Sequence, residues 1–196
     1  MTVWPVMAPV MVAVSVLASA AGSGGFSFVE AVRGGLRTTH DIRLEIRRPP
    51  GFATARPASR SAVFNTRPYQ VTLAGFLGRD RAILLHAERV ADGSGASDYD
   101  ALPPSDLPGF RVRTQCAAIT AADVAEEHDL GWLAGHGWNP AGPALAIRQY
   151  FRTTPDHNQE VVISLVAKLD RCDDEKATAA ALGDLRARLR VRDLDR

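Results

Sequence analysis

The side chains here that could do chemistry are five histidines, two cysteines and one aspartate-rich loop. The histidines are His40, His86, His128, His136 and His157. None belongs to an H-E-x-x-H pair or a comparable short ligand set, so spacing predicts no metal site. His128 stands out, because a helical reading of its segment puts it between Ala125 and Trp132 on an apolar face. An imidazole held there has an environment-dependent pKa and could act as acid, base or pH sensor. A backbone hydrogen bond at the edge of the core explains such a residue equally simply. His86, in the middle of a β-rich run, reads as packing or as a second candidate base. Either base would need an arginine such as Arg111 or Arg148 to hold an anionic substrate.

The loop from Asp92 to Asp100 sets Asp92, Asp98 and Asp100 among glycine and serine. Calcium favours flexible acidic loops, but an EF-hand needs a glutamate at the twelfth position, where Pro103 stands. The loop therefore reads as a solvated surface suited to recognition. His136 and Trp138 follow in a glycine-rich turn, where an exposed aromatic would mark a contact surface and a buried one would plug the core. Asp92, Asp98, Asp100, His136 and Trp138 are the expected binding residues. No G-x-S-x-G elbow, Walker loop or G-x-G-x-x-G occurs, and Gly93-Ser94-Gly95 reads as a flexible triplet. No cofactor is expected.

Cys116 and Cys172 are the only cysteines, 56 residues apart, with no C-x-x-C pair. In an exported protein two such residues read as one structural disulfide; in a reducing compartment they read as buried thiols. The compartment is suggested by the leader. Val3 to Ala21 carries no charge, ends in Ala18-Ser19-Ala20, and runs into Gly22-Ser23-Gly24-Gly25. An apolar core and a small-residue cleavage site resemble a secretory signal, although Met1–Trp4 lacks lysine and arginine. An uncleaved anchor is the competing reading, since about 19 residues just span a bilayer. Arg33 and Arg37, on the far side, contradict the positive-inside rule for that arrangement. A buried helix of the domain is the third reading.

The elements that must position these groups follow from pattern. Residues 22–40 mix glycine with a short apolar run and read as a linker. Asp41–Arg48 alternates Ile42, Leu44 and Ile46 with Arg43, Glu45 and Arg47, the period of a half-buried strand, and Pro49-Pro50-Gly51 ends it. A polar stretch reaches about Ser61, and Ala62–Phe64 is extended. Tyr69–Leu77 and Ala82–Val90 flank Gly78-Arg79-Asp80 as a hairpin; Ala144–Arg152 and Glu160–Leu169 flank a second turn. Phe110–Cys116 alternates between them. Thr120 with Asp123 forms a capping box opening a helix that ends near Gly135. Asp173 caps a last helix with a stripe through Thr178, Ala181, Leu182, Leu185 and Leu189, and Arg188–Arg192 is compatible with either helix or strand.

This order predicts an α+β fold: a single antiparallel sheet of about six strands with two main helices packed on one face. Residues 1–21 are the signal peptide or anchor, 22–40 the linker, and 41–196 the domain. A chain of 196 residues, 46% hydrophobic and 23% charged, fits one globular domain. The net charge of +1 argues against a nucleic-acid partner. Lys168 and Lys176 are the only lysines among 23 basic residues. A GC-rich genome explains that bias, and an arginine surface for carboxylate or phosphate partners is its functional reading. The expectation is an exported, non-catalytic binding or accessory domain, periplasmic or extracellular, acting through a protein partner such as a membrane complex. Its alternatives are an accessory subunit anchored through residues 1–21 and an enzyme built around His128 or His86.

Overall fold

The computed structural model describes residues 25–95 and 98–195; the leader lies outside it. Ten strands and three helices follow one another along these residues: β1 (Val29–Val32), β2 (Gly35–Thr38), β3 (Leu44–Arg47), β4 (Ala53–Phe64), β5 (Arg67–Leu77), β6 (Arg81–Val90), β7 (Arg111–Ile119), α1 (Ala121–Glu126), α2 (His128–Gly135), β8 (Gly142–Thr153), β9 (Gln159–Leu169), α3 (Glu175–Arg188) and β10 (Arg190–Asp193). The fold is mixed α and β, as expected, but it holds two sheets. A six-stranded antiparallel sheet runs β4-β5-β6-β9-β8-β7, and a four-stranded one runs β1-β2-β3-β10.

Both expected hairpins form, and they supply the four central strands of the large sheet. Strands β6 and β9 at its middle are buried on both faces, because both faces are covered. On one face Phe76, Ile83, Leu85, Ile163 and Leu165 pack against Leu36, Leu44 and Ile46 of the small sheet and Leu182 and Leu185 of α3. On the other, Leu73, Leu84, Leu145 and Val166 pack against Trp132 and Leu133 of α2 and Trp138 beyond it. The helices therefore take opposite faces, not one, and the molecule has three layers.

Several sequence expectations are corrected here. The segment assigned as a linker contributes β1 and β2, paired from Val29↔Thr38 to Val32↔Gly35 around a turn at Gly34, whose φ is +79°. The polar stretch after Gly51 is strand β4. Pro57 is accommodated because β4 is an edge strand and its register shifts between Ala55 and Ala58. The tail becomes β10, antiparallel to β3. The cap of the last helix is Asp174, whose side chain accepts from the Ala177 amide at 2.8 Å. The capping box of Thr120 and Asp123 is present, but its helix stops after two turns at Glu127, in extended backbone. α2 then starts afresh.

Polar contacts fix the small sheet to the large one. The Phe28 amide donates to Thr72 Oγ1 at 2.9 Å, and Arg152 pairs with Asp193 at 2.7 Å. His40 Nε2 lies 3.1 Å from the Glu160 carbonyl. Burial pulls the His40 pKa below its ordinary value, so the neutral ring donates that bond.

Cys116 on β7 is bonded to Cys172 ahead of α3, with Cα atoms 5.6 Å apart. The bond ties the outermost strand to the last helix. Loop-closure entropy for this separation is worth about 4 kcal/mol. Replacing both cysteines by serine is therefore expected to lower unfolding free energy by about 4 kcal/mol in urea titration. An unchanged midpoint would refute that role.

Candidate functional site

Strand alternation places a row of ionisable side chains on the α2-facing side of the large sheet. His86 stands opposite Leu73 and Val162; Glu88 stands opposite Val71 and Glu160. Arg60 of β4 continues the second row beyond Val71. His86, Glu88 and Glu160 are only 8%, 7% and 6% exposed. Two carboxylates directly across a strand pair repel, and burial magnifies the repulsion. They persist only if positive charge and hydrogen bonds meet them.

Those partners arrive from three elements. His86 Nδ1 lies 3.4 Å from Glu88 Oε1. Its Nε2 lies 3.4 Å from Oδ2 of Asp129, in the first turn of α2. The break at Glu127 makes this possible, since α2 begins over the row and presents Asp129 at its N-terminal end, where the helix dipole favours a carboxylate. Tyr99, from the loop after β6, donates its hydroxyl to Glu160 Oε2 at 3.0 Å and stacks on Phe151 at 4.4 Å. The Arg60 guanidinium feels Asp129 and Glu88, which oppose the lowering of its pKa by burial. A polar ladder continues across the sheet, where Arg113 donates to Gln149 at 2.6 Å and Gln149 reaches Ser164 at 3.5 Å.

Burial alone would lower the His86 pKa. The carboxylates of Asp129, Glu88 and Glu160 outweigh it and hold the ring at about 9, against an ordinary 6.5. The imidazole is therefore a held cation at neutral pH. With a carboxylate at each nitrogen it has no lone pair to offer, and a general base needs one. What the arrangement does chemically is neutralise a buried acidic row.

The other expected site residues disperse. His128 is exposed, because the break at Glu127 shifts the helical phase; it borders a cavity of about 50 Å³ with Arg60, Leu73 and Trp132. Arg148 pairs across β8 with Leu165, on the opposite face from His86, and donates to Thr114 Oγ1 at 3.3 Å. Arg111 shares the His86 face but lies on the far edge strand, 3.3 Å from Asp100. Asp92 and Asp98 close local turns on the amides of Ser94 and Asp100, at 3.0 and 2.8 Å. His136 is exposed, caps α2 through the Trp132 carbonyl at 2.8 Å, and rests on the Trp132 ring. Trp138 is 4% exposed, with Lys168 Nζ 4.4 Å above its ring, so it is a core plug and not a contact aromatic. The acidic loop meets the sheet at Glu160 and Trp138 meets it at Lys168, about 26 Å apart along β9 at 3.3 Å per residue.

Reading the sequence missed Arg60, Glu88, Tyr99, Asp129 and Glu160. The available signal was His86 and Glu88, two residues apart within the apolar run of β6 and so on one face. Among the described residues no group of three or more histidine, cysteine and acidic side chains could hold a metal ion.

Linkage gives the site a pH signature. A raised pKa means the contribution of His86 is full below pH 6.5 and is lost as pH rises through about 9. The loss is at most about 3 kcal/mol. His40, with a lowered pKa, acts oppositely and costs stability as pH falls below 6.5. His86→Gln should flatten the decline between pH 6.5 and 9 and leave the acid limb in place, as read by denaturant titration. An unaltered alkaline limb would show that His86 does not carry the charge. Compared with known proteins, the chain matches no family model, no curated sequence and no solved structure.

Proposed function

We propose that this chain is an exported, non-catalytic binding or accessory domain that works outside the cytoplasm through a protein partner. The bond between Cys116 and Cys172 carries the reading, because such bonds persist in oxidising compartments and are rare where thiols are kept reduced. The uncharged leader with its Ala18-Ser19-Ala20 ending supports the same compartment. Among the described residues no helix is long and apolar enough to cross a membrane. Binding is favoured over catalysis by the His86 clamp. The buried ionic row is engaged with itself, and interaction falls to the sheet edges and exposed arginines.

The test is the intact mass of the protein from its native host, in soluble and membrane fractions, before and after reduction and thiol alkylation. A soluble species lacking about 20 residues, with no free thiol until reduced, is the expected result. A full-length membrane species would make it an anchored subunit. A full-length soluble species with two free thiols would overturn export altogether.

A further inference from the structure

We infer that the outer edge of β4 receives an extended, acidic segment of the partner protein as a seventh strand of the large sheet. The inference rests on the reading of the chain as a partner-binding domain. β4 is the end strand of its sheet, 12 residues long, and pairs only with β5 among the described residues. In an edge strand every second residue turns its N–H and C=O away from the ladder, a template for another backbone. The first part is blunted by the register shift between Ala55 and Ala58, which contains Pro57. From Ala58 to Phe64 the pairing with β5 is continuous, long enough for a strand of ordinary length.

Side chains make this stretch selective. Phe64 and Ala62 are held down on Tyr69, Val71 and Val90, which steadies the edge. Val63 points the other way and is 54% exposed, the one large apolar side chain so placed among the described residues. Between Glu45 and Asp80 the chain has no carboxylate, yet it has Arg47, Arg48, Arg56, Arg60, Arg67 and Arg79. In a protein of net charge +1 this is segregation, not excess. Arg56 on β4 and Arg67 at the start of β5, near the two ends of β4, are exposed; neither makes a close ion pair among the described residues, although Arg67 is near enough to Asp92 to help lower its pKa. Pairing of β4 with β4 of a second copy would bring arginines together, so like charge excludes self-association. A strand bearing aspartate or glutamate meets the opposite condition. Main-chain hydrogen bonds would supply affinity, the arginines orientation and choice, and Val63 an apolar contact. A phosphodiester chain offers no such backbone ladder, so the occupant is a peptide.

The inference is tested with the full chain, disulfide intact and isotope-labelled, against a short peptide alternating glutamate with valine and its lysine-for-glutamate counterpart. The acidic peptide should move the backbone amide signals of Ser59–Phe64, and the basic one should not. The double variant Arg56→Glu, Arg67→Glu should weaken binding about tenfold with an unchanged circular-dichroism spectrum. Equal shifts from both peptides, shifts confined to other strands, or an indifferent double variant would overturn it. In the native host, photo-crosslinking groups at Val63 and at exposed Ala117 on β7 separate the two levels of argument. An adduct from Val63 to an acid-rich segment supports the edge. Adducts from Ala117 alone overturn the edge and leave partner binding standing; adducts from neither position overturn both.

Discussion

Two carboxylates facing one another across adjacent buried strands set the terms for much of this molecule. Glu88 and Glu160 lie in one cross-strand row on the α2 side of the large sheet. At low dielectric their repulsion can be met only by charge brought from elsewhere. His86 supplies it within the sheet, but its second nitrogen then needs an acceptor, and Asp129 is that acceptor. The helix break at Glu127, the start of α2 over the row and the descent of Tyr99 onto Glu160 all serve one local electrostatic balance. Removing any one partner leaves a buried charge exposed to the others. Such groups are expected to couple rather than add.

The same sheet is treated differently at its two edges. β7 is fixed by the disulfide to the segment before α3 and carries Arg113 tied down to Gln149. β4 is the end strand at the other side; of its two arginines, Arg60 is turned to Asp129 and Glu88, and Arg56 is exposed and makes no ion pair among the described residues. The self-engaged histidine row is one support for the proposed reading, in which interaction falls to the surface.

Much of the fold was legible along the chain. The two hairpins show in β-rich runs bounded by turn residues, whereas the two cysteines left a disulfide and two buried thiols both open until the structure joined them. The capping box at Thr120 is as local as a signal can be, since its hydrogen bonds span three residues. What misled was the periodicity of residues 121–135. Apolar residues at helical spacing continue through Glu127, so nothing local reports that the backbone there turns extended. His128 consequently points to solvent, and Trp138, which a glycine-rich turn made look exposed, is buried under Lys168.

By itself, then, the sequence determined the elements that depend on near neighbours: the hairpin strands, their turns and the capping box at Thr120. Only the tertiary structure decided which pieces share a sheet, that β1, β2, β3 and β10 build a second one, and that helices cover both faces of the first. It also decided the site. Glu88, Asp129, Glu160 and Arg60 come from four separate elements, and their meeting depends on strand register and helix placement over as many as about 100 residues of chain. Charge neutralisation is a condition on neighbours in space, and no periodicity along a chain records it.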